Sequence, residues 1–142
     1  MILVDANLLI YAVDSDSPHH FRARSWLENA LSGGETVGFP WMVLLAFLRV
    51  TTRASILVRP LEPVAALQYV DSWLDQPIAE AVAPGRNHWP VLQGLLQATG
   101  TGGNLTSDAH VAALAVERGA VVYSADNDFK RFPGVEHVNP LA

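Results

Sequence analysis

The sequence predicts an α/β protein: a mostly parallel sheet of four to five strands, flanked by helices on both faces. Three observations predict it. Short apolar runs that read as buried strands alternate along the whole chain with longer segments of helical spacing. Two of those runs, one near each end, stop at acidic corners, in VDAN and in YSADND. Half of the 142 residues are apolar, enough to bury a sizeable core within one domain spanning 1–142.

Taken in order, Ile2, Leu3 and Val4 make the first strand, and Asp5, a residue that strands and cores both disfavour, ends it. Leu8 to Ala12 then supply helical apolar density. Asp14 to Ser17 break the chain, and Ser17 with Pro18 suits the N-cap and first turn of a second helix running to about Leu31. Phe21, Trp26, Leu27, Ala30 and Leu31 offer its inner face, and Ser32, Gly33 and Gly34 stop it. Thr36 to Phe39 reads as the second strand, closed by Pro40. From Trp41 to about Thr52 nearly every residue is apolar apart from Arg49, which predicts a helix buried on most sides and a cation in need of an anionic partner.

Pro60 and Pro63 bracket a loop before a helix over Val64 to Leu74, spaced through Leu67, Val70 and Leu74. Ile78 to Val82 is a third strand. Asn87 is placed to cap a helix carrying Trp89, Val91, Leu92, Leu95 and Leu96, which ends at the glycine loop of Gly100, Gly102 and Gly103. Leu105 to Gly119 has capping residues Thr106 and Ser107, an alanine-rich body and a C-terminal glycine. Ala120 to Tyr123 makes a fourth strand, and Val135 to Val138 a fifth.

Composition narrows the chemistry. There is no cysteine, which removes disulfides, zinc–thiolate sites and thiol nucleophiles. No apolar run approaches the ~18 residues of a membrane span. An acid at position 5 and the absence of a basic n-region argue against a signal peptide, so a cytoplasmic protein is expected. The formal charge of -5 has the wrong sign for holding nucleic acid by counterion release alone. If four aspartates were neutralised by a divalent metal, nearly all of that excess would vanish, so an RNA or DNA substrate stays open with metal as its precondition.

Asp5 after the first strand, Asp108 in the first turn of the late helix, and Asp126 and Asp128 after the fourth strand all stand at element boundaries. In a parallel sheet these positions share the carboxyl edge, where ligands bind in open α/β folds. Taken singly, Asp108 reads equally as a helix-start charge, and Asp126 and Asp128 as turn formers. Taken together, carboxylates in one pocket repel each other unless cations bind between them, and oxygen-only ligands favour Mg²⁺ or Mn²⁺. Such a centre can hydrolyse phosphodiesters without a side-chain nucleophile. His110 is expected to face a neighbouring helix rather than a metal.

The segments ILVDANLLIYA, LLAFLRVTT, NLTSDAHVAALAVERGAVVYSADNDFKRFPGV and the closing NPL carry a resemblance over essentially the whole chain. They resemble the PIN-domain ribonucleases, specifically the VapC-type toxins of type II toxin–antitoxin pairs. The resemblance implies a metal-dependent endoribonuclease that uses Mg²⁺ or Mn²⁺ and cleaves RNA. It also implies a homodimer, and a cognate antitoxin whose tail blocks the acidic site. Asp5, Asp108 and Asp126 match the family's metal-holding acids, with Asp128 close by as a fourth catalytic acid. Ser124 matches the small hydroxyl residue of the last corner and Asn7 a small polar position beside the first acid, both implied to lie against metal-bound water or substrate. Arg22, Arg24, Arg49, Arg53, Lys130 and Arg131 are the cations available for RNA backbone or antitoxin acids.

The chain departs from the pattern at one place. Many family members carry a glutamate three residues before the arginine of the central helix, where this chain has Ala46. That departure keeps a second reading open, a catalytically weakened PIN-like module that binds RNA or protein. A phosphatase of the haloacid-dehalogenase type also places an aspartate between strand and helix, but needs a second aspartate where this chain has Asn7.

Overall fold

The computed structural model describes residues 1–100 and 102–142. Five parallel strands form one sheet in the order β3-β2-β1-β4-β5. They are β1 (Ile2–Val4), β2 (Val37–Pro40), β3 (Ala79–Val82), β4 (Val121–Tyr123) and β5 (His137–Val138). The helices are α1 (Ala6–Val13), α2 (His20–Leu31), α3 (Trp41–Thr51), α4 (Pro63–Leu74), α5 (His88–Thr99) and α6 (Leu105–Arg118), with a 3-10 helix at Asn127–Arg131.

Right-handed crossovers explain how the layers divide. The connections from β1 to β2 and from β2 to β3 step one way across the sheet and carry α1 to α4. The connection from β3 to β4 steps back over β1 and β2, so α5 and α6 cover the opposite face. The strand order therefore reverses between β1 and β4, and a crevice opens at their carboxyl ends. Asp5, Ser124 and Asp126 are the residues that follow those two strands. Because α6 runs antiparallel to β4, its first turn, with Asp108, opens on the same edge.

The central strands are buried on both faces: Leu3, Val4, Val37, Phe39 and Val122 have no exposed surface. Gly38 allows this closeness, since a Cβ there would stand 2.7 Å from Leu3 Cδ2 and 2.8 Å from Val82 Cγ2. Trp73 of α4 closes one layer, stacking on Phe39 at 6.0 Å and meeting Phe47 edge-on at 4.8 Å between ring centroids.

Several elements differ in detail from the sequence expectation. Ser17 and Pro18 lie in a turn ahead of α2, with Ser17 Oγ accepting from His19 N at 3.1 Å, and the helix starts at His20. Its buried face runs through Ala23 and Leu27, and Phe21, about 200° round the helix from Ala23, is 79% exposed. α3 buries a stripe of Val43, Leu44, Phe47 and Thr51 and leaves Trp41 and Leu45 in solvent, because only one side meets the sheet and α1. Pro63 belongs to the first turn of α4, where its missing N–H is no loss, and Leu67 faces outward. The glycine loop flanks Thr101, which lies outside the described residues, and Gly119 closes α6 in the left-handed conformation at φ 61°.

Candidate metal centre

Asp5 leaves β1 in extended conformation and caps α1, its Oδ1 accepting from Ala6 N at 2.8 Å. Its Oδ2 accepts from Ser124 Oγ at 2.7 Å and from Asn7 Nδ2 at 3.4 Å. The Ser124 hydroxyl also accepts from Asn7 Nδ2 at 3.1 Å and from Asp126 N at 2.9 Å, which uses its one donor and both acceptor positions. Asn7 Oδ1 accepts from Ala125 N at 3.2 Å. These bonds stitch the end of β1 to the end of β4. Ser124 is fully buried with its hydroxyl saturated, and it holds Asp5 in place. Asn7 works at the same junction.

One carboxylate oxygen each from Asp108, Asp126 and Asp128 lies within 4.8 Å of the others. Asp126 is itself the cap of the 3-10 helix, its Oδ1 accepting from Asp128 N at 2.9 Å, and this turn brings both acids under the first turn of α6. Burial, followed by the charges of Asp5, Asp126 and Asp128, raises the Asp108 pKa to about 7. Burial also pushes Asp5 above its ordinary value, against the opposing hydrogen bonds from Ser124 and Ala6. Asp5 borders the compact trio through these charges without being one of the three.

The donor set fits a hard divalent cation: oxygen only, three acids crowded together, and a carboxyl that burial and neighbouring acids push up to about 7. Ala46 contributes no ligand, and the trio closes without it. Arg49 is exposed in the last turn of α3 and makes no hydrogen bond or ion pair among the described residues, so the structure does not bring it to the acids.

His110 faces α5. Its Nδ1 lies 2.9 Å from His88 Nε2, and His88 Nδ1 lies 2.6 Å from Glu117 Oε2, while Glu117 Oε1 accepts from Gly85 N at 3.0 Å. His137 braces the acidic corner from β5, its Nε2 lying 2.9 Å from the Ser124 carbonyl oxygen. Sequence reading passed over His88, Glu117 and His137. The seven-residue spacing of His110 and Glu117, which places them on one face of α6, was the available signal for Glu117.

The PIN domain profile matches residues 2–135. The chain belongs to the PIN domain family. Ribonuclease VapC37 of Mycobacterium tuberculosis is 48% identical over 142 residues, which is 100% of this chain and 99% of that relative. Among solved structures, this PIN domain is similar to VapBC2 from Rickettsia felis bound to a DNA fragment from their promoter, with TM-score 0.73, 19% identity and 98% of each chain covered. It is also similar to VapC20 of Mycobacterium tuberculosis, a sarcin–ricin loop cleaving toxin, with TM-score 0.68 and 18% identity over 96% of this chain and 99% of that one.

Proposed function

We propose that this PIN domain, read as one unit over 1–142, is a metal-dependent endoribonuclease and the toxin of a toxin–antitoxin pair. The trio of Asp108, Asp126 and Asp128 at the crevice between β1 and β4 carries the reading, beside an Asp5 whose carboxylate accepts from Ala6 N, Ser124 Oγ and Asn7 Nδ2. The full-length likeness to a ribonuclease of 48% identity supports the reaction class.

Asp108, Asp126 and Asp128 would hold Mg²⁺ or Mn²⁺, with Asp5 at the border of the site. An ion held there would supply Lewis-acid chemistry, activating water and offsetting charge on the phosphodiester. Asp108 must surrender its proton for the ion to bind, and its raised pKa makes that step pH-dependent. Asn7 and Ser124 keep the Asp5 carboxylate oriented, so that little reorganisation is left for the moment of reaction. The proposed partners are RNA, a cognate antitoxin and a second copy of this chain, and the proposed compartment is the cytoplasm. Among the described residues no helix is long and apolar enough to cross a membrane.

The test is cleavage of total tRNA and ribosomal RNA by antitoxin-free protein with Mg²⁺, with Mn²⁺ and with EDTA, beside Asp108→Asn and Asp5→Asn. Discrete fragments that need metal and disappear in both variants are expected. Cleavage that persists in EDTA, or in both variants, would sink the proposal.

A further inference from the structure

Most cations of this acidic chain are accounted for or stand far from the acids. Arg24, Arg59 and Arg118 are paired with Glu28, Asp16 and Glu80, and Arg22 donates to the Leu141 carbonyl oxygen. The side chains of Arg49, Arg53, Arg86, Lys130 and Arg131 make no ion pair or hydrogen bond among the described residues, and all five residues are exposed. Arg49 lies in the last turn of α3 and Arg53 just beyond its end. That helix starts at the carboxyl end of β2, which carries Arg49 about 12 Å along its axis away from the crevice edge. Arg86 follows β3, the outermost strand, with β2 between it and β1. Of the five, Lys130 and Arg131 alone lie in the 3-10 helix that Asp126 caps and that carries Asp128 in its first turn.

Side chains three apart in a 3-10 helix eclipse, about 6 Å apart along the axis. Arg131 therefore shares a face with Asp128, yet the two form no ion pair. No ion pair or hydrogen bond joins Lys130 or Arg131 to Asp108, Asp126 or Asp128 among the described residues. A cation beside a carboxylate cluster that leaves the cluster uncompensated is free for a different anion.

We propose that Arg131, assisted by Lys130, binds the RNA phosphate next to the bond being cleaved. The proposal rests on the ribonuclease reading above. The planar guanidinium offers a fork that matches phosphate oxygens in pairs, while the Lys130 ammonium adds a point charge on the adjoining face. Contacts of this kind fix the register of the strand over the metal centre and carry no base preference. They also explain how an acidic protein takes an RNA backbone to a crevice lined by carboxylates.

Steady-state cleavage of the RNA pool, tRNA or ribosomal RNA, that the wild type cuts provides the test. Arg131→Ala should raise KM about 10-fold and leave kcat within about 3-fold, and Arg131→Lys should recover part of the loss. The slope of log affinity against log salt should fall by about 0.7 for each lost phosphate contact. Arg86→Ala, an equal loss of charge two strands away, should change neither. Equal losses in Arg86→Ala and Arg131→Ala overturn the proposal, as do an unchanged KM and salt slope, or a fall confined to kcat. If the wild type cuts neither pool, the ribonuclease reading fails separately. Binding of tRNA to the Mg²⁺-loaded protein then decides Arg131: weaker, less salt-sensitive binding by Arg131→Ala upholds the phosphate contact, and unchanged affinity overturns it.

Discussion

Two clusters of titratable side chains lie on α6 and differ in how their charges are met. His110 and Glu117 join His88 in a line where acid, imidazole and imidazole meet at 2.6 and 2.9 Å, with the Glu117 and His88 side chains only 10% and 11% exposed. Each group there has a partner. Asp108, two residues before His110 and about 200° round the helix, faces three other acids, and its carboxyl is pushed up to about 7 by burial and by their charges. The first cluster ties α5 to α6 and needs nothing more. The second is unfavourable by itself, and a bound cation would remove that cost.

Substitutions that equalise the two clusters should act in opposite senses. Asp108→Asn carries the largest expected effect: metal-dependent RNA cleavage falls by about 100-fold or more, since a ligand and its charge are lost. The same change should make the metal-free protein more stable at pH 8 by about 1 kcal/mol, or about 4 °C in Tm. Glu117→Leu should do the reverse. It strands a buried His88 N–H and is expected to cost about 1–3 kcal/mol in urea unfolding, with cleavage per folded molecule kept within about 3-fold. A destabilised Asp108→Asn, or an inactive but stable Glu117→Leu, would reverse the assignment of the two clusters.

Much of this arrangement was legible in the sequence because it follows from topology. Strand, acid and helix in VDAN and strand and acids in YSADND place Asp5, Asp126 and Asp128 at one edge once the sheet is parallel, and the α6 start adds Asp108. Local patterns were poorer guides wherever tertiary contacts choose the face. Phe21 looked like core because it is large and apolar, but the buried stripe of α2 passes through Ala23 and Leu27. Arg49 looked in need of an anion because its helix is apolar, yet it extends from the solvent side of α3. Ser124 and Asn7 were placed at the right corner, but only the register of β1 beside β4 reveals that their hydrogen bonds end on Asp5 and on each other. The partners of His110 were invisible for the same reason: His88 arrives from another helix.

The pH dependence of stability separates the clusters at smaller amplitude. In the unfolded chain Asp108 titrates near its ordinary 3.8, whereas in the folded protein it titrates near 7. Between those values the folded state holds a proton that the unfolded state has lost, so a rise in pH favours unfolding. Metal-free protein should therefore lose Tm by a few degrees from about pH 5 to about pH 7 and level off above it. Mg²⁺ should restore more Tm at pH 8 than at pH 5.5, where it must displace the proton. A Tm that rises through this window in metal-free protein would contradict the sign.

The subtlest test asks which neighbours hold the proton on Asp108. After burial, the charges rank Asp5, then Asp126, then Asp128. Carbon NMR titration of the Asp108 carboxyl in metal-free protein should thus move to lower pH in Asp5→Asn, less far in Asp126→Asn and least in Asp128→Asn. Asp128 comes last because it is the exposed member of the trio, and water screens its field. Equal movements in all three would mean that the ranking is lost to solvent and that the crevice is wetter than its burial implies. No movement in any of them would mean that burial alone keeps the proton on Asp108. The two sides of α6 would then differ in solvation and not in charge, and a neutral oxygen ligand would stabilise the acidic corner as well as a cation does.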